Sequence, residues 1–481
     1  MALARTLGVA LTGVRGQVVE VEADISAGLP GLAFTGLADT SVVESRDRIR
    51  AAIQNSGVDW PNRRITVALL PADVRKVGAR FDLSMAMAVL GAAGDVQAAW
   101  IANTLWIAEL GLDGRLRPVH GVLPSVAAAR AAGVRRAVVA PGNAAEAALV
   151  DGVEVRTAGD LGEIVRWLRG SGEPLELADG TGADELVDSG PLDLAEVAGQ
   201  PTAKRALEIA AAGGHHLYLV GAPGAGKTML AERLPGLLPL LEDAAALEVT
   251  AVHSVAGRLA ERARLIRVPP LQAPHHTASV AALVGGGSHL ARPGAISLAH
   301  HGVLFLDEAP EFSPRALDAM RQPLESGTVV LHRGGGAVSY PARFQLVMAA
   351  NPCPCARPPA DCDCAPNTRR RYQQRLSGPL LDRIDLRVSV DAVPHGDLLG
   401  AGDGEGSAAV AARVAAARAA AAQRWQGTPW RVNAVVPGAA LRSGGWAPAR
   451  SALEAAETYL RRGALSARGF DRVLRLAWTL S

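Results

Sequence analysis

Eight consecutive residues of the chain match a loop that binds phosphate. They follow the pattern of Gly, any four residues, then Gly-Lys-Thr, and they are Gly221, Ala222, Pro223, Gly224, Ala225, Gly226, Lys227 and Thr228. The apolar run 216–220 predicts a buried strand before the loop, and residues 228–234 predict a helix after it that ends at Pro235. Glycines allow the backbone N–H groups of such a loop to face one anion at the positive end of a helix. The complete motif in this context favours phosphate binding over a glycine-rich turn without a ligand.

A second run, 301–306, ends at Asp307 and Glu308. If a nucleotide is bound, Lys227 would contact its outer phosphates, and Thr228 and Asp307 would hold Mg²⁺. Glu308 is then placed to orient and deprotonate the attacking water. Taken alone, such a run is equally typical of a strand that enters a loop. The phosphate loop upstream favours the catalytic interpretation.

A third run, 344–350, ends at Asn351, a polar residue suited to sensing a γ-phosphate or its water. Three predicted strands thus end in polar groups that ATP hydrolysis needs. The sequence therefore predicts a site that binds ATP with Mg²⁺ and hydrolyses the nucleotide.

The composition is that of an ordinary globular protein. The chain has 481 residues, of which 49% are hydrophobic and 20% charged, enough for about three domains. A net charge of +2 excludes a bulk basic surface for nucleic acid, so that any such surface must be local. The sequence starts with no basic segment followed by an apolar core, and an apolar run of about 18 residues is absent. We therefore expect a cytoplasmic protein without a membrane partner.

Residues 1–168 alternate between strands and helices. The patterns predict strands at 6–11, 16–25 and 64–70, helices at 39–56 and 83–90, and further strand–helix units at 105–108, 137–140 and 153–155. This region resembles the N-terminal ChlI domain of the YifB/ComM group of AAA+ proteins in Gly28-Leu29-Pro30, Phe34, Gly36-Leu37 and residues 71–78. The resemblance implies an α+β fold similar to the proteolytic domain of Lon, of the ribosomal S5 domain 2-like type.

The chain departs from Lon where such proteases carry their nucleophilic serine. Arg80 or Phe81 stands there instead, and an arginine cannot act as the nucleophile. Ser84 lies in an apolar helix pattern, which favours a packing role. We therefore expect no peptidase activity and a structural or nucleic-acid-contacting role, although scattered solvated charges are an equally good interpretation of the basic residues Arg46, Arg48, Arg50, Arg63, Arg64, Arg75, Lys76 and Arg80.

Three segments follow: a glycine-rich and acidic linker at 169–190, an ATPase core at 191–395 and an alanine-rich helical lid at 396–481. The opening of the core, 193–200, and its phosphate loop resemble the Mg-chelatase branch of AAA+ ATPases, and the resemblance to YifB/ComM covers the whole chain. It implies an α/β fold with a P-loop AAA+ core, a Lon-protease-like N-terminal domain and a C-terminal helical lid.

About 80 residues separate Lys227 from Asp307, too many for one crossover helix, which predicts an insertion. By resemblance, residues 273–294 carry an insert that points toward a central pore. The histidine pairs 275–276 and 300–301 are weak metal candidates, because adjacent residues do not share a helix face or strand side. Residues 328–333 and 337–340 around three glycines predict a hairpin, whose His332 and Arg333 would contact a translocated strand by resemblance.

All cysteines lie in one short segment, as two Cys-x-Cys pairs: Cys353, Cys355, Cys362 and Cys364. Four thiolates can close a tetrahedral zinc site, although the usual pairs have two or more intervening residues. A reduced loop without metal is the main alternative. Disulfides are a weaker one, because the expected compartment is reducing.

Residues 376–385 resemble the segment that presents an arginine to the neighbouring subunit's nucleotide in Mg-chelatase-like motors. The resemblance implies that Arg383 is this trans arginine finger and that the protein is a ring of six subunits. An arginine in a surface salt bridge is the alternative. In the lid, Arg468 is the expected nucleotide-contacting arginine and Arg472 its rival. Resembling proteins continue for about another helix, so the lid is expected to be truncated.

The resemblance as a whole implies an ATP-dependent hexameric motor that moves on single-stranded and branched DNA and drives branch migration in recombination and natural transformation. Two alternatives remain. The first is the motor subunit of a magnesium chelatase, and the second is a protein-remodelling or regulatory ATPase.

Overall fold

The chain forms two main β-sheets with helices on both faces and a helical group at its C-terminal end. The computed structural model describes residues 2–36, 39–179, 192–259, 263–287, 291–333, 336–357, 361–393, 404–442 and 446–481. In this part of the chain, every helix is too short or too polar to span a bilayer.

The strands in chain order are β1 (Ala2–Thr12), β2 (Arg15–Ser26), β3 (Gly31–Thr35), β4 (Arg64–Leu70), β5 (Thr104–Ile107), β6 (Glu109–Leu110), β7 (Leu116–Arg117), β8 (Arg136–Val139), β9 (Glu154–Thr157), β10 (Glu176–Leu177), β11 (Leu217–Gly221), β12 (Leu271–Gln272), β13 (Gly285–Gly286), β14 (Arg292–Pro293), β15 (Val303–Leu306), β16 (Thr328–Arg333), β17 (Gly336–Pro341), β18 (Gln345–Ala350) and β19 (Leu386–Val390).

The α-helices are α1 (Thr40–Asn55), α2 (Asp82–Ala93), α3 (Ala98–Ile101), α4 (Val122–Ala131), α5 (Ala144–Ala147), α6 (Leu161–Leu168), α7 (Pro201–Gly213), α8 (Lys227–Leu237), α9 (Asp243–Val255), α10 (Val280–Val284), α11 (Ala295–Leu298), α12 (Pro314–Ala319), α13 (Arg321–Ser326), α14 (Pro366–Gln373), α15 (Gly378–Leu381), α16 (Ser407–Arg424), α17 (Gly438–Arg442), α18 (Arg450–Arg461) and α19 (Ala467–Leu480).

The N-terminal sheet is mixed and has eight strands in the order β10-β9-β8-β5-β1-β2-β4-β3. The β-branched pattern of β2 turns Val19 and Val21 into the core on which α1 and α2 pack, and α4 covers the opposite face. The strands and helices predicted for residues 1–168 are confirmed in type. β1 and β2 extend further than predicted.

The segment predicted as a linker begins as part of this sheet. Glu176 and Leu177 form β10, which pairs antiparallel with β9. Both residues are exposed, and a two-residue edge strand has too little periodicity to be recognised in a sequence. The remainder of the predicted linker, 180–190, lies outside the described residues.

The second sheet is parallel throughout, with the order β12-β15-β18-β11-β19. Every residue of β15 and β18 is buried, as expected for strands that are covered on both faces. Because parallel strands end at one edge, the sheet brings the residues after β11, β15 and β18 together.

Helix α8 does not end at Pro235, so that prediction was wrong. The helix runs to Leu237 with the proline inside it. Proline lacks only one backbone donor, and the fully buried Leu234 and Leu237 anchor the last turn in the core. Side-chain packing outweighs the local cost of the proline.

Tryptophans form the core of the C-terminal helical group. Trp425 is fully buried and packs edge-on against Trp430, Trp446 and Trp478. The carbonyl oxygen of Trp478 accepts a hydrogen bond from Asn433 at 3.1 Å, which ties α19 to the loop before α17. The helices predicted here are confirmed, whereas residues 394–403 and 443–445 lie outside the described part.

The two sheet regions are in direct contact through α4 and α9. Glu146 is 7% exposed and accepts hydrogen bonds from the backbone N–H of Leu123, at 2.8 Å, and from the hydroxyl of Ser254. The N–H of Gly121 donates to the carbonyl oxygen of Ser254. The N-terminal region is thus docked on the core by buried polar contacts.

Candidate nucleotide-binding and hydrolysis site

The predicted phosphate loop joins β11 to α8, as expected. Gly224 and Gly226 have φ angles of 74° and 89°, which glycine adopts without the strain that a side chain brings. A Cβ at Gly221 would lie 2.2 Å from the carbonyl oxygen of Val390, so the loop also approaches β19 closely. Among the described residues, no side chain caps the N-terminus of α8. Its backbone N–H groups are therefore available to an anion.

The ammonium of Lys227 is folded onto its own loop. It donates to the carbonyl oxygens of Gly221 and Ala222, both at 2.8 Å, and to Oδ1 of Asn351 at 3.2 Å. Lys227 is 7% exposed, and this burial lowers its pKa, whereas the charge of Asp307 raises it. A phosphate would offer this buried cation a charged partner. The fold thus brings Lys227 and Asn351 together.

Two oxygen ligands suited to Mg²⁺ meet beside the loop. The hydroxyl of Thr228 donates to Oδ2 of Asp307 at 2.7 Å. Hydroxyl and carboxylate oxygens, completed by water and phosphate oxygens, are the ligands that Mg²⁺ takes in nucleotide sites. The residues present therefore fit the ion.

Glu308 follows Asp307 in a left-handed conformation, with φ of 50°. Its N–H donates to Oδ1 of Asp307 at 2.9 Å, while its own carboxylate points to another partner, since Oε2 lies 3.1 Å from Nδ1 of His276. The Glu308 side chain is 51% exposed, so that water can reach it. The two neighbouring carboxylates therefore have different surroundings, because Asp307 contacts Thr228 whereas Glu308 contacts His276 and is half exposed.

His276 and Gln200 are two residues of the site that the sequence analysis missed. From the sequence, His276 was a candidate metal ligand only. The Gln200 amide donates to the carbonyl oxygens of Ala225, at 3.1 Å, and Asp391, and so joins the phosphate loop to the end of β19. The only available signals were a histidine pair and the Gly-Gln that ends the opening motif, and neither signal indicates its partner.

The three predicted arginines lie around α13 and α15. Both Arg383 and Arg468 contact the carboxylate of Glu325, the latter at 3.4 Å. Arg472 instead donates to the backbone carbonyl oxygens of Leu381 and Ile384. Among the described residues, Arg383 and Arg468 make no hydrogen bond or ion pair with the phosphate loop. The fold brings these two arginines together but does not join them to Lys227.

The four cysteines, here called the cysteine cluster, converge: the sulfur atoms of Cys353, Cys355, Cys362 and Cys364 all lie within 4.8 Å of one another. All four are free thiols. Cys353 is buried and the others are half-buried. The cluster follows Asn351 directly in the chain.

One histidine pair also converges, contrary to the geometric argument against it. Nε2 of His300 lies 3.0 Å and Nε2 of His301 3.3 Å from Oε2 of Glu248. His301 has a φ of 54° and lies in a turn, where neither helical nor strand periodicity applies. The rings of the other pair also lie close, with centroids 4.1 Å apart, but their contacts differ, because His275 bonds Thr277 at 2.8 Å and His276 contacts Glu308.

Several basic residues of the predicted N-terminal face are used internally. Lys76 is fully buried and donates to the carbonyl oxygen of Pro71, and Arg80 donates to the carbonyl oxygen of His120 at 2.7 Å. Ser84 is buried with its hydroxyl bonded to Phe81, which confirms the packing role. These contacts reduce the basic face that the sequence suggested.

The predicted hairpin is confirmed as β16 and β17, paired antiparallel from Thr328 and Pro341 to Arg333 and Gly336. His332 near its tip is exposed. The Arg333 side chain and residues 334–335 lie outside the described part.

Comparison with known families assigns nearly the whole chain. Residues 193–398 match the family described as magnesium chelatase, subunit ChlI, residues 21–143 match subunit ChlI of Mg-chelatase, and residues 404–481 match the C-terminal part of magnesium chelatase subunit ChlI.

Individual relatives agree with this assignment. The uncharacterized protein Rv2897c of Mycobacterium tuberculosis is 53% identical over 100% of this chain and 95% of its own length. The competence protein ComM of Haemophilus influenzae is 44% identical over 86% of this chain and 82% of its own length. The uncharacterized protein YifB of Escherichia coli is 42% identical over 98% of this chain and 92% of its own length. With its P-loop α/β core and all three magnesium chelatase segments, the chain belongs to the YifB/ComM family of Mg-chelatase-like AAA+ ATPases.

Proposed function

We propose that the protein is an ATP-driven motor that acts on DNA as a hexameric branch-migration helicase. The observation that supports hydrolysis is the meeting of Lys227, Thr228, Asp307 and Asn351 at one edge of the parallel sheet, with Glu308 beside them and open to water. Binding alone would not require a half-exposed carboxylate after the metal-side acid.

Each residue then has a distinct role. Lys227 and the free N–H groups of α8 hold the outer phosphates, and Thr228 and Asp307 hold Mg²⁺, which withdraws charge from the phosphate oxygens. Glu308 orients the attacking water and accepts its proton. Asn351, already bonded to Lys227, senses the γ-phosphate.

Arg383 completes the site of a neighbouring subunit in this proposal. Among the described residues, Arg383 and Arg468 both contact Glu325 and neither bonds the phosphate loop of its own chain, and the Arg383 side chain is 12% exposed. A guanidinium that stabilises phosphoryl charge contributes about 10³–10⁵ in rate. We expect Arg383→Ala subunits, inactive alone, to regain turnover when mixed with inactive Lys227→Ala subunits. Absence of any rescue would contradict a shared site.

Movement on DNA is supported by the relative named competence protein ComM and by the hairpin β16–β17, in which His332 near the tip is exposed. The decisive experiment is steady-state ATPase activity in Mg²⁺, without polymer and with single-stranded, duplex and four-way-junction DNA. We expect stimulation that fades with added salt, because contacts to the phosphate backbone release counterions.

A magnesium chelatase motor subunit is the second candidate, favoured by the family match of residues 193–398. A chelatase motor should hydrolyse ATP without any response to DNA. Turnover that responds to unfolded protein but not to DNA would instead support a protein-remodelling ATPase. The same assay therefore separates all three.

A further inference from the structure

The four sulfur atoms of the cysteine cluster lie close enough to share one metal ion. The sulfur of Cys355 lies 3.5 Å from that of Cys353 and 3.6 Å from that of Cys362, and the last two are 3.3 Å apart. A zinc ion with Zn–S bonds of about 2.3 Å separates its tetrahedral sulfur ligands by about 3.8 Å. A small adjustment of these thiols therefore suffices to enclose one ion.

The segment around the cluster has little else to hold it. Within its described residues, 352–357 and 361–365, there is no α-helix or strand, and Cys353 is the one buried residue. Such a loop cannot form an apolar core of its own, and structural zinc is a common substitute for one in small segments. Four thiolates without histidine or carboxylate select a soft ion of tetrahedral preference.

The position of the cluster links it to the nucleotide site. Only Pro352 separates Cys353 from Asn351, whose side chain contacts Lys227. At the other end, only Ala365 separates Cys364 from the start of α14. An ion held by both Cys-x-Cys pairs would fasten the end of β18 to the start of α14.

We propose that the cysteine cluster binds one structural Zn²⁺ ion and that this ion fixes the strand end that carries Asn351. The proposed zinc site depends only on the arrangement of the four cysteines. The positioning of Asn351 rests on the proposed ATP hydrolysis, in which Asn351 is a residue of the site and the cysteines act through it.

The metal is measured first, on the purified full-length chain. We expect about one zinc per chain by elemental mass spectrometry, released when a mercurial reagent blocks the thiols. Replacement by Co²⁺ should give the visible absorption of a tetrahedral tetrathiolate complex. Metal-free protein that does not bind added Zn²⁺ or Co²⁺ would overturn the site, whether its thiols are all reactive or paired in disulfides.

Variants test the positioning role. The double variant Cys355→Ser, Cys362→Ser changes two half-buried ligands and should lose zinc, while Asp361→Asn, an exposed neighbour inside the same segment, should keep it. We expect the double variant to retain nucleotide binding but to lose about ten-fold in kcat, an effect typical of groups that orient a site residue.

The two parts of the proposal fail separately. Wild-type kcat in a double variant that has lost zinc would overturn the positioning of Asn351. Zinc content does not depend on turnover, so a protein that binds one zinc per chain but hydrolyses no ATP would refute the proposed function and leave the metal site in place.

Discussion

Two helices of the molecule begin with a buried charged residue, and the two residues differ in whether the fold provides a partner of opposite charge. Asp82 opens α2 in the N-terminal sheet region, and Lys227 opens α8 in the ATPase core. Asp82 is fully buried and is bonded by the Arg48 guanidinium at 2.8 Å, by the Ser45 hydroxyl and by the N–H of Leu110 at 3.3 Å. Its partners are a full set of donors inside the fold.

Lys227, by contrast, is hydrogen-bonded within the described part of the chain to uncharged oxygens only. Two of its acceptors are carbonyl oxygens of its own loop, the third is Asn351, and the carboxylate of Glu308 nearby is half exposed. Burial lowers the pKa of Lys227 and raises that of Asp82, yet only Asp82 has an oppositely charged group in direct contact. A buried charge that the fold pairs completely is structural, whereas one that it leaves to uncharged oxygens is prepared for a ligand.

The largest effect that this contrast predicts is that of Lys227→Ala. Because the ammonium is the charged partner of the outer phosphates, its removal should abolish nucleotide binding, measured with a fluorescent ATP analogue. The fold should persist, since the partners left behind are loop carbonyls and an amide, and thermal unfolding provides that control. Wild-type affinity in the variant would show that Lys227 is as structural as Asp82.

Glu308→Gln comes next. Glutamine keeps the shape of the side chain and can still contact His276, but it cannot take a proton from water. We expect unchanged nucleotide affinity and a kcat lower by about 10²–10⁴. Turnover at the wild-type rate in purified Glu308→Gln protein would refute the assignment of the general base.

Asp82→Ala tests the closed cluster. It leaves the Arg48 guanidinium, 23% exposed, without its carboxylate, so that we expect the N-terminal region to lose about 3 kcal/mol of unfolding free energy. Glu22→Ala, which breaks a partly exposed pair with Arg5 at 2.8 Å, should cost less than about 1 kcal/mol. Urea unfolding measures the unfolding free energy of both variants. Equal losses would show that the buried cluster around Asp82 contributes no more than a partly exposed ion pair. ATPase activity under folding conditions should stay unchanged in both.

The site around Lys227, here called the open site, was largely predictable from the sequence, because each of its segments is recognisable from a short stretch of residues. A glycine pattern between a strand and a helix specifies the phosphate loop, and apolar runs that end in Asp307 and Asn351 specify where two parallel strands finish. The resemblance to a known family indicated the order in which the segments of the site follow one another along the chain. The geometry then follows, since parallel strands end at one edge.

The hydrogen-bonded cluster around Asp82 was not predictable from the sequence. The same holds for the other contacts between different helices and strands. Arg48 looked like one of several surface arginines, and its pairing with Asp82 depends on how α1 packs on α2. The prediction that α8 ends at Pro235 was wrong for the same reason, because packing in the core holds the last turn of the helix. Side chains that meet only through tertiary packing leave no periodic pattern in a sequence.

The smallest predicted effect concerns the contact between Glu308 and His276. Nδ1 of His276 lies 3.1 Å from Oε2 of Glu308, the proposed general base. His276 lies between β12 and α10, and α10 leads into β13, where a Cβ at Gly285 would lie 3.2 Å from Leu331 of the hairpin. Ala278 and Val284, which follow His276 in the chain, pack against the same core as Leu331 of the hairpin, so that the hairpin and the segment that carries His276 share one core.

If this contact restrains Glu308 until a polymer is bound, His276→Ala should raise ATPase activity without DNA by about two- to five-fold, which corresponds to the loss of one partly exposed ion-pair contact. DNA should then stimulate the variant less than the wild type, because the restraint that DNA relieves is already gone. His275→Ala is the matched control, since its ring stacks on that of His276 at 4.1 Å but bonds Thr277 instead of Glu308. A rise in both variants would assign the effect to loosening of the segment, and a fall in His276→Ala alone would mean that His276 orients the base for catalysis. Only a rise confined to His276→Ala makes the contact a restraint, and it would show that the open site, unlike the cluster of Asp82, is held by contacts that function requires to break.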